Sequence, residues 1–208
     1  MVEQIAGTSM GGRTLAGCVF VTLMAASLAG TARAGPLDDA TAAYKHGDYA
    51  TTYVLLQPLA DAGDRAAQHN LGMFYADGHG DFGEAGTWFR KAADQGLAEA
   101  QFNLGLLYAN GRGMPQDYRQ AAKWYRNAAE QGHAYAQLNL GAMYANGQGM
   151  PRDYVEAHKW FSVAASNLAD SPAEYRDMAI NDRNLAARKM TPAQIAEAQK
   201  LARAWKPN

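Results

Sequence analysis

Trp88, Trp124 and Trp160 stand 36 residues apart, and Asn-Leu-Gly recurs at Asn70, Asn103 and Asn139, at intervals of 33 and 36. An aspartate followed by an aromatic residue recurs at Asp48, Asp81, Asp117 and Asp153. This period constrains the fold more than any other feature of the chain. A unit of that length cannot bury an apolar face alone, so it must stack on its neighbours into an array. The one irregular interval has a location. "GHGDFGEA" lacks the Met-Pro-Gln found in "GRGMPQDYRQA", so the short unit loses loop and not helix.

Each unit resolves into two helices. In "DYRQAAKWYRNAAEQG", Tyr118, Ala121, Ala122, Tyr125, Ala128 and Ala129 share one stripe, with Arg119, Lys123, Arg126 and Glu130 opposite. Asp117 suits the N-cap and Gln120 completes a capping box; Asp81 with Glu84 and Asp153 with Glu156 repeat the arrangement. Gly63, Gly96 and Gly132 close these helices as left-handed caps. The preceding helix, "AYAQLNLGAMYANG", puts Ala136, Leu140, Met143 and Tyr144 on one side. Its Gly141, like Gly72 and Gly105, costs about 1 kcal/mol of helix propensity relative to alanine. A cost repeated three times predicts a neighbouring helix too close for a side chain. "YANGRGMPQDY" and "YANGQGMPRDY" recur because the turn between the two helices recurs.

The pattern A-x-x-L-G-x-x-Y-x-x-G-x-G, then D-Y-x-x-A-x-x-W-Y-x-x-A-A-x-x-G, resembles the Sel-1-like repeat family, relatives of the tetratricopeptide repeats. It covers about Asp48 to Ala165, with Leu55 in place of tryptophan and Leu168 in place of the closing glycine as departures. The resemblance implies an all-α, right-handed α-solenoid of antiparallel helix pairs. The spacing divides 35–168 into a leading half-unit, 38–63, and units over 64–96, 97–132 and 133–168. Over 169–208, "SPAE" at Ser171 and "TPAQ" at Thr191 each open a helix, and Ile195, Ala198, Leu201, Ala202 and Trp205 form an apolar stripe. These two helices are expected to form a C-terminal capping pair, because the end of a solenoid has no neighbour to cover it. The tail also resembles the C-terminal helix of many exported bacterial members.

Residues 1–34 read as a secretory signal peptide: Arg13, the apolar stretch Leu15–Gly30, then Ala32-Arg33-Ala34 as a cleavage site. A retained anchor is the alternative reading. A start at Met10 would remove Glu3 and tidy the charged region. "LAGC" mimics a lipobox, but here the apolar core follows Cys18. Cleavage after Ala34 leaves no cysteine, so the exported chain would hold together by its apolar core alone, in the periplasm or outside the cell.

Several function classes fall away. The formal charge is −1 and no run of five like charges occurs, so a nucleic-acid partner is not expected. "GHGDFG" satisfies G-x-G-x-x-G, but a helix and not a strand precedes it, so it reads as a turn. The histidines at 46, 69, 79, 133 and 158 have no metal-ligand spacing; His69, His79 and Asp81 could cluster, but solvated histidines are the expectation. The resemblance extends to exported, cysteine-rich members with a β-lactamase assignment. No serine here has lysine three residues later, so an envelope hydrolase of that kind is the runner-up only. No catalytic residue, metal or cofactor is assigned.

What remains is binding. The concave face of a solenoid is its usual interaction surface, and positions that differ between units are freest to carry specificity. These are His69/Met73, Phe102/Leu106 and Leu138/Ala142. Phe102, Leu106 and Leu138, with Met73, can line a groove for an extended peptide or a partner helix; packing between repeats is the alternative. Asn70, Asn103 and Asn139 form a ladder; the resemblance to tetratricopeptide relatives implies that they can bond a ligand's backbone, and the alternative is a structural bond to the adjacent loop. The expectation is a non-enzymatic, exported protein–protein interaction scaffold of the cell envelope, off the membrane once its leader is cleaved. Association with peptidoglycan is a third reading.

Overall fold

The computed structural model describes residues 35–169 and 171–208; the leader read over residues 1–34 lies outside them. The described residues form α1 (Pro36–Lys45), α2 (Tyr49–Asp61), α3 (Arg65–Met73), a π-helical turn (Phe74–Gly78) and α4 (Phe82–Asp94). There follow α5 (Ala98–Asn110), α6 (Tyr118–Glu130), α7 (Ala134–Asn146), α8 (Tyr154–Asn167), α9 (Ala173–Ala187) and α10 (Pro192–Ala204). No strand occurs among the described residues. Through α9 each helix packs on the next in sequence, which makes the chain an α-solenoid. The leading unit is a complete pair, because α1 packs along α2.

Asp64, Asp81, Asp117 and Asp153 cap α3, α4, α6 and α8, each accepting two backbone N–H groups at 2.8–3.1 Å. The expected reciprocal bonds to Glu84, Gln120 and Glu156 do not form. Glu156 instead accepts from the indole N–H of Trp160 at 3.0 Å and pairs with Lys159 at 3.2 Å. Thr191 and Gln194 do complete a capping box on α10. Ser171 does not cap α9, which begins at Ala173 with Pro172 in the cap position.

The three mid-helix glycines face the following helix, as the sequence predicts. A Cβ on Gly72, Gly105 or Gly141 would lie 2.5, 2.7 or 2.8 Å from a ring carbon of Phe89, Tyr125 or Phe161. Each ring is buried in the seam between the two helices of its unit. Trp88, Trp124 and Trp160 are core residues as well.

A polar ladder runs beside this apolar seam. Gln68, Gln101 and Gln137 are buried, and each donates its amide to a carbonyl near the end of the preceding helix, that of Ala60, Ala93 or Ala129, at 3.0–3.2 Å. Each then accepts from the amide of Gln95, Gln131 or Asn167 at 2.7–2.9 Å. Carbonyls at a helix end have no partner within the helix, so these glutamines satisfy groups that would otherwise be stranded in the core.

The C-terminal helices are not a hairpin. α9 and α10 both pack on α8, and α10 folds back along it. Trp205 meets Trp160 edge-on at 6.2 Å, Pro207 lies beside Gly132, and the Asn208 N–H donates to the Glu130 carbonyl at 2.9 Å. Leu168, where the closing glycine was expected, is fully buried under this cap.

Candidate functional site

Asn70, Met73, Phe102, Asn103, Leu106, Leu138 and Asn139 do not line an open groove: none is more than 6% exposed. Met73 packs with Leu104 and Leu107; Phe102 and Leu106 pack with Leu140 and Met143; Leu138 packs with Phe161 and Leu168. The first helix of each unit lies between its own partner and the neighbouring units, so almost every face of it is covered. The asparagine ladder serves the same stacking. Asn103 donates its amide to His69 Nε2 at 3.0 Å and to Met73 Sδ at 3.3 Å, side chains of the preceding unit and not of an adjacent loop. Among the described residues, neither polar atom of the Asn139 side chain has a hydrogen-bond partner. By repeat register, the positions of His69 and Met73 are taken there by Phe102 and Leu106, which offer no acceptor.

The histidines correct the solvated expectation. His69 and His158 are buried. Burial holds the His69 imidazole below its ordinary pKa, which suits an unprotonated Nε2 facing the Asn103 amide. His133 stacks on Phe102 at 4.5 Å, and its Nδ1 accepts the Ala136 N–H at 3.2 Å to cap α7. Burial pushes its pKa down to about 4. His79 stays exposed and lies 4.7 Å from the Phe74 ring, so it does not join His69.

The open apolar surface lies elsewhere. Tyr49, Tyr53 and Val54, on the first half of α2, are 42%, 39% and 69% exposed and account for three of the four exposed large hydrophobic side chains among the described residues. With Ala50, Phe74, Tyr75, His79 and Asp81 they line a cavity of about 770 Å³. Phe74, buried, is the floor, and the rings of Tyr49 and Tyr53 meet it at 6.0 and 5.8 Å. Beside it the Tyr44 hydroxyl donates to the Asp77 carboxylate at 3.4 Å, and desolvation raises the pKa of that carboxyl.

The short loop explains the opening. In all three units the N–H of the capping aspartate bonds the carbonyl of a tyrosine on the first helix: Asp81 to Tyr75, Asp117 to Tyr108, Asp153 to Tyr144, at 2.9–3.0 Å. The ends of the turn are clamped alike, and only its content differs. In the long turns, Gly113 and Gly149 lie against the backbone that starts the preceding unit's second helix; a Cβ there would sit 2.3 Å from the Phe82 carbonyl carbon and 2.2 Å from the Tyr118 carbonyl oxygen. The Met114 methyl lies over Gly86, and the Arg112 guanidinium lies 5.2 Å from the Phe82 ring centre. Gly80, the matching glycine of the short turn, has nothing within 4 Å of its Cβ position. Among the described residues no methionine crosses to α2, whose Tyr49 and Tyr53 occupy the register of Phe82 and Gly86. The first helix widens into its π turn at the same place, a distortion common at functional sites. Two sequence signals pointed here, the three missing residues and the tyrosine where the next two units carry Gly86 and Ala122. Neither reads as a cavity until the long loops are seen to fill one.

The family model for the Sel1 repeat matches residues 65–97, 98–133 and 134–167. Two solved structures are similar. One is a protective antigen present in uropathogenic Escherichia coli strains displaying an SLR fold, 36% identical over 74% of this chain, with a TM-score of 0.66. The match spans 32% of that antigen's length. The other is a Sel1 repeat protein from Oxalobacter formigenes, 31% identical over 79% of this chain and 73% of its own, with a TM-score of 0.59. No curated protein matches the sequence.

Proposed function

This chain belongs to the Sel1 repeat family, whose members are generally protein-interaction scaffolds, and from that premise we propose that it holds a partner protein at the aromatic groove between α2 and the π turn. One observation carries the choice of surface: Tyr49, Tyr53 and Val54 are exposed together over a buried aromatic floor, while the residues expected to line a concave groove are buried in packing. An exposed cluster of that kind marks an interaction site more often than an accident of folding. The role is non-enzymatic, and the setting is the cell envelope; what supports the setting is the leader pattern ending at Ala34.

Site-specific photo-crosslinking in cells tests this, with the probe at position 54 and, as control, at Met178, the other exposed large apolar residue, on α9. Capture at position 54 that Tyr53→Asp abolishes, with none at 178, is the expected result. Equal capture at both positions, or none at 54, refutes the groove. Fractionation of the same cells tests export, and nitrocefin turnover by purified protein would restore the hydrolase reading. Sedimentation with isolated peptidoglycan, unaffected by Tyr53→Asp, would favour a glycan partner instead.

A further inference from the structure

We infer that the partner presents to this groove a short extended segment carrying an aliphatic-Pro pair, taking the place of the Met-Pro-Gln this unit lacks. The inference rests on the groove reading above and adds the chemistry of the occupant. Its ground is that the chain shows twice what fills the corresponding space. In the second unit, Arg112-Gly-Met-Pro115 crosses to the preceding helix: the guanidinium lies over Phe82, Gly113 packs on backbone and the methionine methyl lies over Gly86. In the third, which has Gln148 where the second has Arg112, Gly149 repeats the backbone contact on Tyr118 and Met150 packs against the core cluster that includes Ala121 and Ala122.

On α2 the same helix start is present and the crossing segment is missing. The space left is apolar along Tyr53, Val54 and Phe74, which suits a methionine or leucine side chain. Tyr49 stands where Phe82 receives Arg112, but His79 already holds the Arg112 register with its ring 6.4 Å from that of Tyr49, so the gap left is that of the methionine and proline. A proline in the segment holds it extended before binding, as Pro115 and Pro151 follow the methionines in the filled copies, and this reduces the ordering cost.

The segment comes from a different protein. Met114 and Met150, the two Met-Pro methionines of this chain, are already packed in their own units, so a second copy has neither to offer. Residues 1–34 contain no proline.

The test uses the full chain and a fluorescein-labelled peptide with the sequence of residues 109–117, ANGRGMPQD, followed by fluorescence anisotropy. Saturable binding is expected, with a Kd between about 10 μM and 1 mM for so small an interface. Replacing methionine by serine in the peptide should weaken it about tenfold or more. In the protein, inserting Met-Pro-Gln between Gly80 and Asp81 should close the groove, abolish peptide binding and raise the melting temperature. Val54→Glu, at a site exposed enough to tolerate it, should weaken binding about tenfold and keeps the test decisive if the insertion misfolds. No saturation by about 1 mM, indifference to the Met→Ser change, or full binding by Val54→Glu protein overturns the inference. Self-association lost on Val54→Glu would overturn it in favour of a second copy. If position 54 captures a partner in cells while the peptide fails, the occupant is wrong and the groove stands; if both fail, the groove falls too.

Discussion

Replacing Gly105 by alanine sets two effects of known sign against each other. Helix propensity favours alanine by about 1 kcal/mol in the middle of α5. Against it, the new Cβ would lie 2.7 Å from both Cδ1 and Cε1 of Tyr125, whereas carbon atoms in contact prefer about 3.5–4.0 Å. Tyr125 is 0% exposed, so its ring has no solvent side into which to swing. Overpacking of a closed core costs about 1–3 kcal/mol. The clash should therefore win, leaving Gly105→Ala destabilised by up to about 2 kcal/mol, or a melting temperature lower by up to about 4–8 °C for a domain of this size. Gly86→Ala is the internal control. Its Cβ would meet the Met114 methyl at 2.7 Å, but that atom ends a flexible chain, and the next neighbour, Leu107 Cδ1, is 3.3 Å away. There the propensity term should prevail, giving a change between zero and a gain of about 1 kcal/mol. Thermal and urea unfolding followed by circular dichroism at 222 nm measure both. Should Gly105→Ala prove as stable as Gly86→Ala, close helix approach is not why these glycines recur.

Asn139→Leu should stabilise the fold by about 1 kcal/mol or more, because it removes two buried polar atoms that have no partner. Asn103→Leu should cost about 1–2 kcal/mol by breaking the contacts to His69 and Met73; urea unfolding of the two variants separates them. The depressed pKa of His133 makes stability pH-dependent with a definite sign. Between its ordinary value near 6.5 and about 4 the unfolded chain binds a proton that the folded chain does not, so stability falls as pH drops through that window. Nearby Glu99 opposes this depression while His69 adds to it, and a protonated Nδ1 could not accept the Ala136 N–H. His133→Asn, which retains a cap, should flatten the acid limb of a melting-temperature profile and leave the limb above pH 7 unchanged in shape. Trp205→Ala should cost about 1–3 kcal/mol and speed amide exchange in α10 first, measured by hydrogen exchange with mass spectrometry.

Much of the array is legible in the sequence because the same physical requirement is written three times. Gly72, Gly105 and Gly141 name the close seam, and the recurring aspartates name the helix starts. Single instances misled. Ser171 carries a capping signature but is followed by a proline that became the cap itself. The ladder of Gln68, Gln101 and Gln137 was equally periodic, yet glutamine is an ordinary surface residue, and only the carbonyls it reaches explain its burial. The candidate site divides along the same line. Variation at Met73, Phe102, Leu106 and Leu138 resembles specificity in one dimension, but in three it is each unit matching a slightly different neighbour. The aromatic groove arises from three absent residues, and an absence carries no side chain to read.

The segment from Trp205 to Asn208 fastens the outermost helix across two successive repeats, from Trp160 in one to Glu130 in the other. Arrays with contacts only between immediate neighbours peel from their ends one rung at a time. Here peeling at that extremity must release two rungs together, whereas among the described residues the opposite end is tied to the next repeat by the Tyr44 hydroxyl on Asp77. The tail end of the array should therefore open in one cooperative step and not rung by rung.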